Sequence, residues 1–467
     1  MMPLWTSDEI LSATGGTLSG APFEASGVTF DSREVEAGDL FVAMPGSVAD
    51  GHDYVAAAFA KGAAGAIVSR AGANGHGGPH VLVADVAQAL TDLAVAARER
   101  MTGTVIGVTG SVGKTSTKEA LFAALDRFER GRVHRSVKSY NNHTGVPLSL
   151  ARMPRDSEFA VFEMGMNHEG EIAALTRLVR PHAALITTIA SAHIEHLGSM
   201  EAIADAKAEV FEGLDRAGIA IVPEDSPWRG RLVKAAKRHT SRIVTFGSGE
   251  ADVATIHAVR SEHGGSLVTA RLVESELTYT VAQRGEHWIA NSLAVLAVVE
   301  AVGADLALAG LALADMDGLK GRGERHQLAV GDGNFLLIDE SYNANSASMA
   351  ATLAALGSER EVTRRIAVLG PMRELGDKAD ELHAALAPAV LAAKVDHLIL
   401  VGEDMRPLEE ALHGEVALDR AENVDDAAHL LANLIQPGDA VLVKASNSIG
   451  LARLVERMAG GVATCST

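Results

Sequence analysis

A three-domain α/β protein is the fold class this sequence predicts, and three observations predict it. The chain has 467 residues, and at roughly 150 residues per domain that length corresponds to about three domains. Its hydrophobic fraction of 47% is ample for large cores and excludes global disorder. Short apolar runs alternate with helical stretches through two long segments, the pattern of parallel sheets flanked by helices.

The elements follow in order. Residues 1–100 mix short strands with glycine-rich turns, as in SGVTFDSREVEAGDLFVAMPG (26–46). Helical periodicity follows in DYVAAAFAKGAAG and VAQALTDLAVAARER, the second predicting a helix that links to the next domain. This segment predicts a small α/β N-terminal domain. In residues 101–325, the runs TVIGVTG, EFAVFEMG and AALITTIAS read as buried parallel strands, each bounded by turn or helix signals. The β-rich stretch from Arg242 to Gly285 predicts an antiparallel insertion. AVLAVVEAVGADLALAGLALA (294–314) is broken by Glu300 and Asp305. It predicts helix, turn and helix rather than a membrane span. Clustered glycine and charge in GLKGRGERHQ (318–327) predict a hinge. In residues 326–467, FLLIDES, RIAVLGPM, HLILVG and AVLVKAS again alternate with helices, predicting a second parallel α/β domain. There is no internal repeat.

A net charge of −19 argues against nucleic acid as the main partner, because phosphate backbones need a basic surface. Nucleotides stay open, since backbone amides and a few cations capture them locally. The single cysteine, Cys465, excludes an intrachain disulfide and a cysteine zinc site, and reads as a tail thiol without a role. MMPLWTSDEI lacks a basic region followed by an apolar run, so no secretory signal is expected. The expectation is a soluble, cytoplasmic protein without membrane insertion.

The sharpest motif lies in TVIGVTGSVGKTSTKEALFAAL (104–125). An apolar strand leads into Gly110, Ser111, Val112 and Gly113, and Lys114, Thr115 and Ser116 open a helix. Backbone amides and the helix N-terminus would then face phosphates, where the helix dipole favours negative charge. Lys114 adds a point charge and Thr115 a hydroxyl for magnesium. This predicts a P-loop ATPase-like central domain. The usual loop has a glycine where this chain has Val108. Asn-Lys-x-Asp is absent, which argues against a GTPase.

EFAVFEMGMNHEGEI (158–172) places Glu163 at the carboxyl end of a strand beside the loop, where ligands bind in doubly wound sheets. A carboxylate there can hold magnesium, a hard cation that takes oxygen ligands. Taken alone, Glu163 reads equally as a solvated strand-end glutamate. The next strand ends near His193, and Lys207 follows in DAKAEVF. Singly, these read as a structural histidine and a solvated lysine.

Together, these residues resemble the peptide-adding Mur ligases of peptidoglycan synthesis, which carry a Thr-Gly-x-x-Gly-Lys-Thr loop, a strand-end glutamate, a histidine and a carbamylated lysine. The resemblance places those features on Gly110 to Thr115, Glu163, His193 and Lys207. It extends through YNNHTGVPLSL (140–150), EMGMNHEGEI, DAKAEVFEGL (205–214) and DESYNANSASM (339–349), and into TFDSREVEAGDLFVAMPG and DGHDY near the N-terminus. It implies a UDP-substrate-binding domain over 1–100, an ATP-binding domain over 101–325 and a Rossmann-like ligase domain over 326–467. The implied activity joins D-alanyl-D-alanine to UDP-MurNAc-tripeptide at the expense of ATP, by way of an acyl phosphate. That activity implies roles in cell-wall building, cell shape and division. The implied cofactors are ATP and Mg²⁺, held by Thr115, Glu163, His193 and a carbamylated Lys207. Two anions about 4 Å apart at an effective dielectric of ~20 repel by about 4 kcal/mol, which metal and lysine must cancel.

By the same resemblance Asn291, near His287, reads adenine. Arg322 or Arg325 in the hinge reaches phosphate, Asp339 lies near the ribose, and Tyr342, Asn343 and Asn345 stand at the cleft. Ser32 and Arg33 contact the UDP moiety. Asn141 and Asn142 contact the diphosphate or muramoyl part, and Asn167 and His168 also fall on the substrate side. Asn291 as a helix cap, and the Tyr342–Asn345 cluster as plain turn chemistry, are the structural alternatives. A monomer is expected. Departures are Ser346 where the family has proline, Leu-Gly-Pro-Met at 369–372 for Leu-Gly-Asp-Met, and KASN at 444–447 for Lys-Gly-Ser-Arg. The rival readings are a sister ligase adding the third amino acid, a folylpolyglutamate synthase and a non-catalytic nucleotide-binding protein. The sister ligase's Asp-Asn-Pro-Arg signature is absent.

Overall fold

The computed structural model describes residues 2–46, 49–69, 77–191, 194–261 and 264–460. Cys465 lies outside the described residues.

Three main sheets follow one another along the chain. The first has five strands in the order Thr17–Ser19, His80–Leu82, Gly65–Val68, Asp39–Val42, Gly27–Thr29. Its last four strands are parallel and the first is antiparallel. The second has nine strands, running from Glu276–Val281 through Ser266–Arg271, Val253–Arg260, Arg242–Gly247, Ile219–Pro223, Ala183–Ile186, Thr104–Thr109 and Phe159–Glu163 to Val133–Arg135. The third has six strands in the order Glu324–Val330, Gly333–Glu340, Ala440–Lys444, Arg365–Leu369, His397–Val401, Ala417–Ala421. All its neighbours are parallel except the first pair.

The stretch predicted as an antiparallel insertion is a continuation of the central sheet. Arg242–Gly247 pairs in parallel with Ile219–Pro223, and Phe246 and Gly247 pair in parallel with Val253 and Ala254. Only the two following pairings are antiparallel. A strand buried by parallel neighbours and one starting a meander both read as short β-branched runs, so the sequence alone did not separate them.

The central strands are buried on both faces. Val105 packs with Phe162, Met164 and Phe211 on one side, while Ile106 and Val108 pack with Leu121, Trp288 and Leu296 on the other. Successive side chains of a strand point to opposite faces, so a two-sided core requires an unbroken apolar run, as TVIGVT supplies. The alanine-rich segment forms helices Glu286–Ala301 and Leu306–Ala314, with Asp305 capping the second through Leu308 N–H. Among the described residues, no helix is long and apolar enough to cross a membrane.

The helix Val86–Arg100 starts at Asp85, whose carboxylate accepts from Ala87 and Gln88 N–H. It buries Leu90, Leu93 and Ala97 in the N-terminal core. At its far end Arg98 donates to the carbonyls of Val179 (2.7 Å) and Arg180 (2.8 Å) in the central unit. Trp5 Nε1 donates to Ala151 O (2.8 Å), Arg155 pairs with Glu9 (2.5 Å) and Arg152 donates to Val28 O. The first two sheets are therefore joined by buried and part-buried polar contacts and a shared apolar cluster that includes Leu148 and Ala151.

Candidate functional site

The strand Thr104–Thr109 ends at Gly110, and the helix Lys114–Phe128 begins four residues on. Val108 is fully buried inside this strand, with Glu163 and Leu185 as its register partners. The loop therefore starts at Gly110, which explains why no glycine is needed at 108. Gly110 has φ +144°, and a Cβ there would lie 2.0 Å from Thr187 Oγ1. Gly113 has φ +86°, and its Cβ would meet Asn291 Oδ1 at 3.0 Å. Both positions exclude a side chain through conformation and space. Thr187 Oγ1 donates to Val112 O at 2.6 Å, and Ser111 N–H donates to Thr188 O at 2.8 Å. These bonds tie the loop to the end of the neighbouring strand. No side chain caps the helix, so its first amides face the cleft.

Lys114 folds back so that Nζ donates to Gly110 O at 2.8 Å. Burial pushes its ammonium below the ordinary lysine value, against the pull of Glu163 and with Arg322 adding to the depression. Thr115 Oγ1 donates to Glu163 Oε2 at 2.9 Å, and Asn141 Nδ2 donates to Glu163 Oε1 at 2.7 Å. Glu163 is 1% exposed. The sequence reading missed Lys118, a fully buried lysine one turn beyond Lys114. Its Nζ lies 4.0 Å from Glu163 Oε2 and donates to Ser136 O at 3.0 Å, while Ser136 Oγ accepts from Glu163 N–H. An i, i+4 lysine repeat in KTSTK was the available signal.

Lys207 sits near the end of helix Met200–Ala208, fully buried, and among the described residues its Nζ has no hydrogen-bond partner. Burial and then the Lys114 charge hold its pKa well below that of an ordinary lysine, although Glu209, Glu163 and Glu171 oppose them. His193 lies outside the described residues.

The loop, Lys114, Thr115, Asn141 and Glu163 open onto a cavity of about 560 Å³ between the central and C-terminal sheets, whereas Lys118 and Lys207 are buried behind it and do not line it. Of the expected site residues, Ser111 to Ser116, Asn141, Asn142, Glu163, Asn167, Asn291, Arg322, Tyr342, Asn343 and Asn345 line it, as does His287. Asn291 lies in the second turn of its helix, where it does not act as an N-cap. Burial, with Lys444 adding, pushes His287 down to about 4, so the ring is neutral at pH 7. Arg322 stacks on Tyr342 with its guanidinium carbon 4.2 Å from the ring centre.

Several expectations land elsewhere. Asp339 is 1% exposed and does not line the cavity; its oxygens accept from Gly321 N–H (2.9 Å) and Ser341 N–H (3.0 Å). Its neighbour Glu340 lines the cleft instead, with Lys444 Nζ at 3.5 Å. Burial raises the Glu340 carboxyl, while Lys444 pulls it down. Asn345 is committed to a capping box with Ser348 that starts helix Ser346–Gly357, so turn chemistry accounts for its side-chain oxygen. Asn142 Oδ1 accepts from Gly145 N–H at 2.9 Å. Arg325 reaches Glu359 rather than the cavity. Ser32, Arg33 and His168 also lie outside the cavity lining. Arg33 is exposed and paired with Asp31 at 2.7 Å, Ser32 O accepts from Lys61, and His168 is paired with Glu171 at 3.1 Å.

The donor set suits a magnesium–nucleotide pair. A hydroxyl and a buried carboxylate sit side by side as hard oxygen donors beneath an amide-lined loop and an uncapped helix. The Lys207 amine, buried and without a hydrogen-bond partner among the described residues, is a polar group that a bound group could satisfy.

Fold and cleft together define a phosphate-loop enzyme of nucleotides, built from three α/β units. Residues 24–100 match the Mur ligase family catalytic domain, 108–299 the Mur ligase middle domain and 321–447 the Mur ligase, glutamate ligase domain. The UDP-N-acetylmuramoyl-tripeptide–D-alanyl-D-alanine ligase of Escherichia coli is 34% identical over 455 residues, 97% of this chain and 98% of the relative. A crystal structure of MurF from Acinetobacter baumannii superposes with a TM-score of 0.84 at 30% identity, covering 98% of this chain and 99% of that one. The Thermotoga maritima MurF ligase, solved in complex with ADP, gives 0.76 at 27% identity, covering 93% and 97%. The chain belongs to the Mur ligase family.

Proposed function

We infer that this chain is an ATP-dependent ligase joining D-alanyl-D-alanine to UDP-N-acetylmuramoyl-tripeptide, giving the pentapeptide nucleotide, ADP and phosphate in peptidoglycan precursor synthesis. The carrying observation is the Thr115–Glu163–Asn141 cluster under an uncapped phosphate-loop helix, in a chain that matches a ligase of that name along its whole length.

When bound, ATP supplies the phosphoryl group that activates the tripeptide's terminal carboxylate, and Mg²⁺ supplies positive charge between the two anions. The chain's own residues do the rest. The amides of Ser111 to Thr115 and the Lys114 ammonium hold phosphate oxygens. Thr115 and Glu163 would hold a metal ion, and Asn141 fixes the Glu163 carboxylate in orientation. Lys118 places a buried cation behind it. Asn291 reads the base, and Tyr342, stacked by Arg322, walls the cleft from the C-terminal side. Ser32 and Arg33 meet the uridine nucleotide, while Asn142, Asn167 and His168 meet the rest of the acceptor.

His193 and Lys207, the latter as a carbamate, would add further ligands for the metal ion. The neutral amine adds to CO₂, forming an N–C bond and releasing one proton. Only the unprotonated amine reacts, so a depressed pKa lets Lys207 react at a lower pH than an ordinary lysine. Protein equilibrated with ¹³C-bicarbonate is expected to show one carbamate carbon signal that is absent in Lys207→Ala and fades as the pH falls. No signal, with a mass of unmodified lysine, would count against the carbamate.

Phosphate release measured with each acceptor and each donor amine tests the reaction itself. Release is expected to need ATP, the tripeptide nucleotide and D-alanyl-D-alanine together. Release with a dipeptide nucleotide and a free diamino acid would assign the chain to the sister reaction. Parallel assays with diaminopimelate and lysine tripeptides identify the third residue.

A further inference from the structure

We propose that Glu359 is a positioning residue that clasps the two sides of the nucleotide cleft through Arg284 and Arg325. The inference rests on the reading of the cleft as an ATP site. Glu359 belongs to the C-terminal unit, just past helix Ser346–Gly357, with a side chain only 2% exposed. Arg325 grips it in bidentate fashion, Nη1 to Oε1 at 3.0 Å and Nη2 to Oε2 at 2.8 Å. Arg284 Nη1, from the central unit, donates to Oε2 as well. Arg365 fixes the local backbone by donating to Glu359 O at 2.7 Å and to Leu356 O at 3.3 Å.

The two arginines stand at the roots of the cleft's nucleotide walls. Arg284 precedes Gly285, the N-cap of the helix that carries His287 and Asn291. Arg325 follows Arg322 by three residues, at the start of strand Glu324–Val330. A Cβ on Gly264 would lie 2.5 Å from Arg284 Nε, so the backbone at Gly264 lies directly against the guanidinium. One buried carboxylate thus sets the distance between the Asn291 helix and the Arg322 hinge. Without it, two part-buried guanidiniums that repel each other would lose the carboxylate they share.

Arg284→Ala separates this role from a merely structural one, because it leaves the Arg325–Glu359 pair within the C-terminal unit intact. The expected result is a KM for ATP raised about tenfold, with kcat at saturating ATP and the KM for the tripeptide nucleotide within about twofold of wild type. Arg284→Lys should recover part of the loss, and Glu359→Gln should raise the KM further. An Arg284→Ala enzyme with wild-type KM for ATP, or one in which every KM rises alike, overturns the clasp while leaving the ligase reading in place. A wild-type protein that binds no ATP overturns both.

Discussion

Lys114→Ala lowers kcat/KM for ATP by about a thousandfold or more, because it removes the phosphate loop's cation. The estimate follows from charge: two anions about 4 Å apart at an effective dielectric of ~20 repel by about 4 kcal/mol, and each 1.4 kcal/mol is a factor of ten in rate. The geometry makes the loss hard to replace. Arg322 reaches the cleft from the C-terminal side, and Lys118, 4.0 Å from Glu163, is held by Ser136 O and Glu119. The variant should fold normally, since among the described residues Lys114 donates only to the Gly110 carbonyl within its own loop. Steady-state kinetics alongside circular dichroism reads the outcome. A folded Lys114→Ala enzyme within tenfold of wild type would remove the phosphate-loop mechanism.

Glu163→Gln carries the second large effect. The amide keeps the shape and can still accept from Thr115 or Asn141, but the negative charge beneath the loop is gone. A metal held partly by that charge binds more weakly, and Lys118 loses an anion from its surroundings. The expected result is a kcat reduced about a thousandfold, comparable to removing a principal electrostatic group from an active site, with a raised Mg²⁺ requirement. The two readouts separate the role from simple destabilisation, because a misfolded protein would lose activity without shifting its Mg²⁺ dependence. Full activity at unchanged Mg²⁺ would show that Glu163 is not a ligand.

The phosphate loop was legible because its parts are contiguous: Gly110, Gly113, Lys114 and Thr115 act through local backbone geometry that a short window encodes. Glu163 was legible because strand ends beside such loops face the ligand. The groups that steady them were not. Ser136 and Asn141 reach Glu163 from 27 and 22 residues away, through pairings that no local pattern announces. Asp339 and Glu340 show a finer limit. Adjacent strand residues point to opposite faces, and the sequence does not say which face meets the cleft. Asn345 illustrates the converse, since Asn-x-x-Ser before an alanine-rich run is a capping signature that could have been read as such. Glu359 sits in a charged stretch after a helix, where the natural reading is a solvated carboxylate. Only folding brings Arg284, 75 residues away, against it.

The polar joints between the first two sheets have a mechanical consequence. Arg98 grips the end of a central helix, Trp5 and Arg152 reach carbonyls across the boundary, and Leu148 shares a core with Leu93. The platform that would receive the uridine nucleotide and the loop that would cradle phosphate are thus tied to each other at several separate points. The C-terminal sheet is joined differently, through the glycines around Arg322 and the Arg284–Glu359 contact.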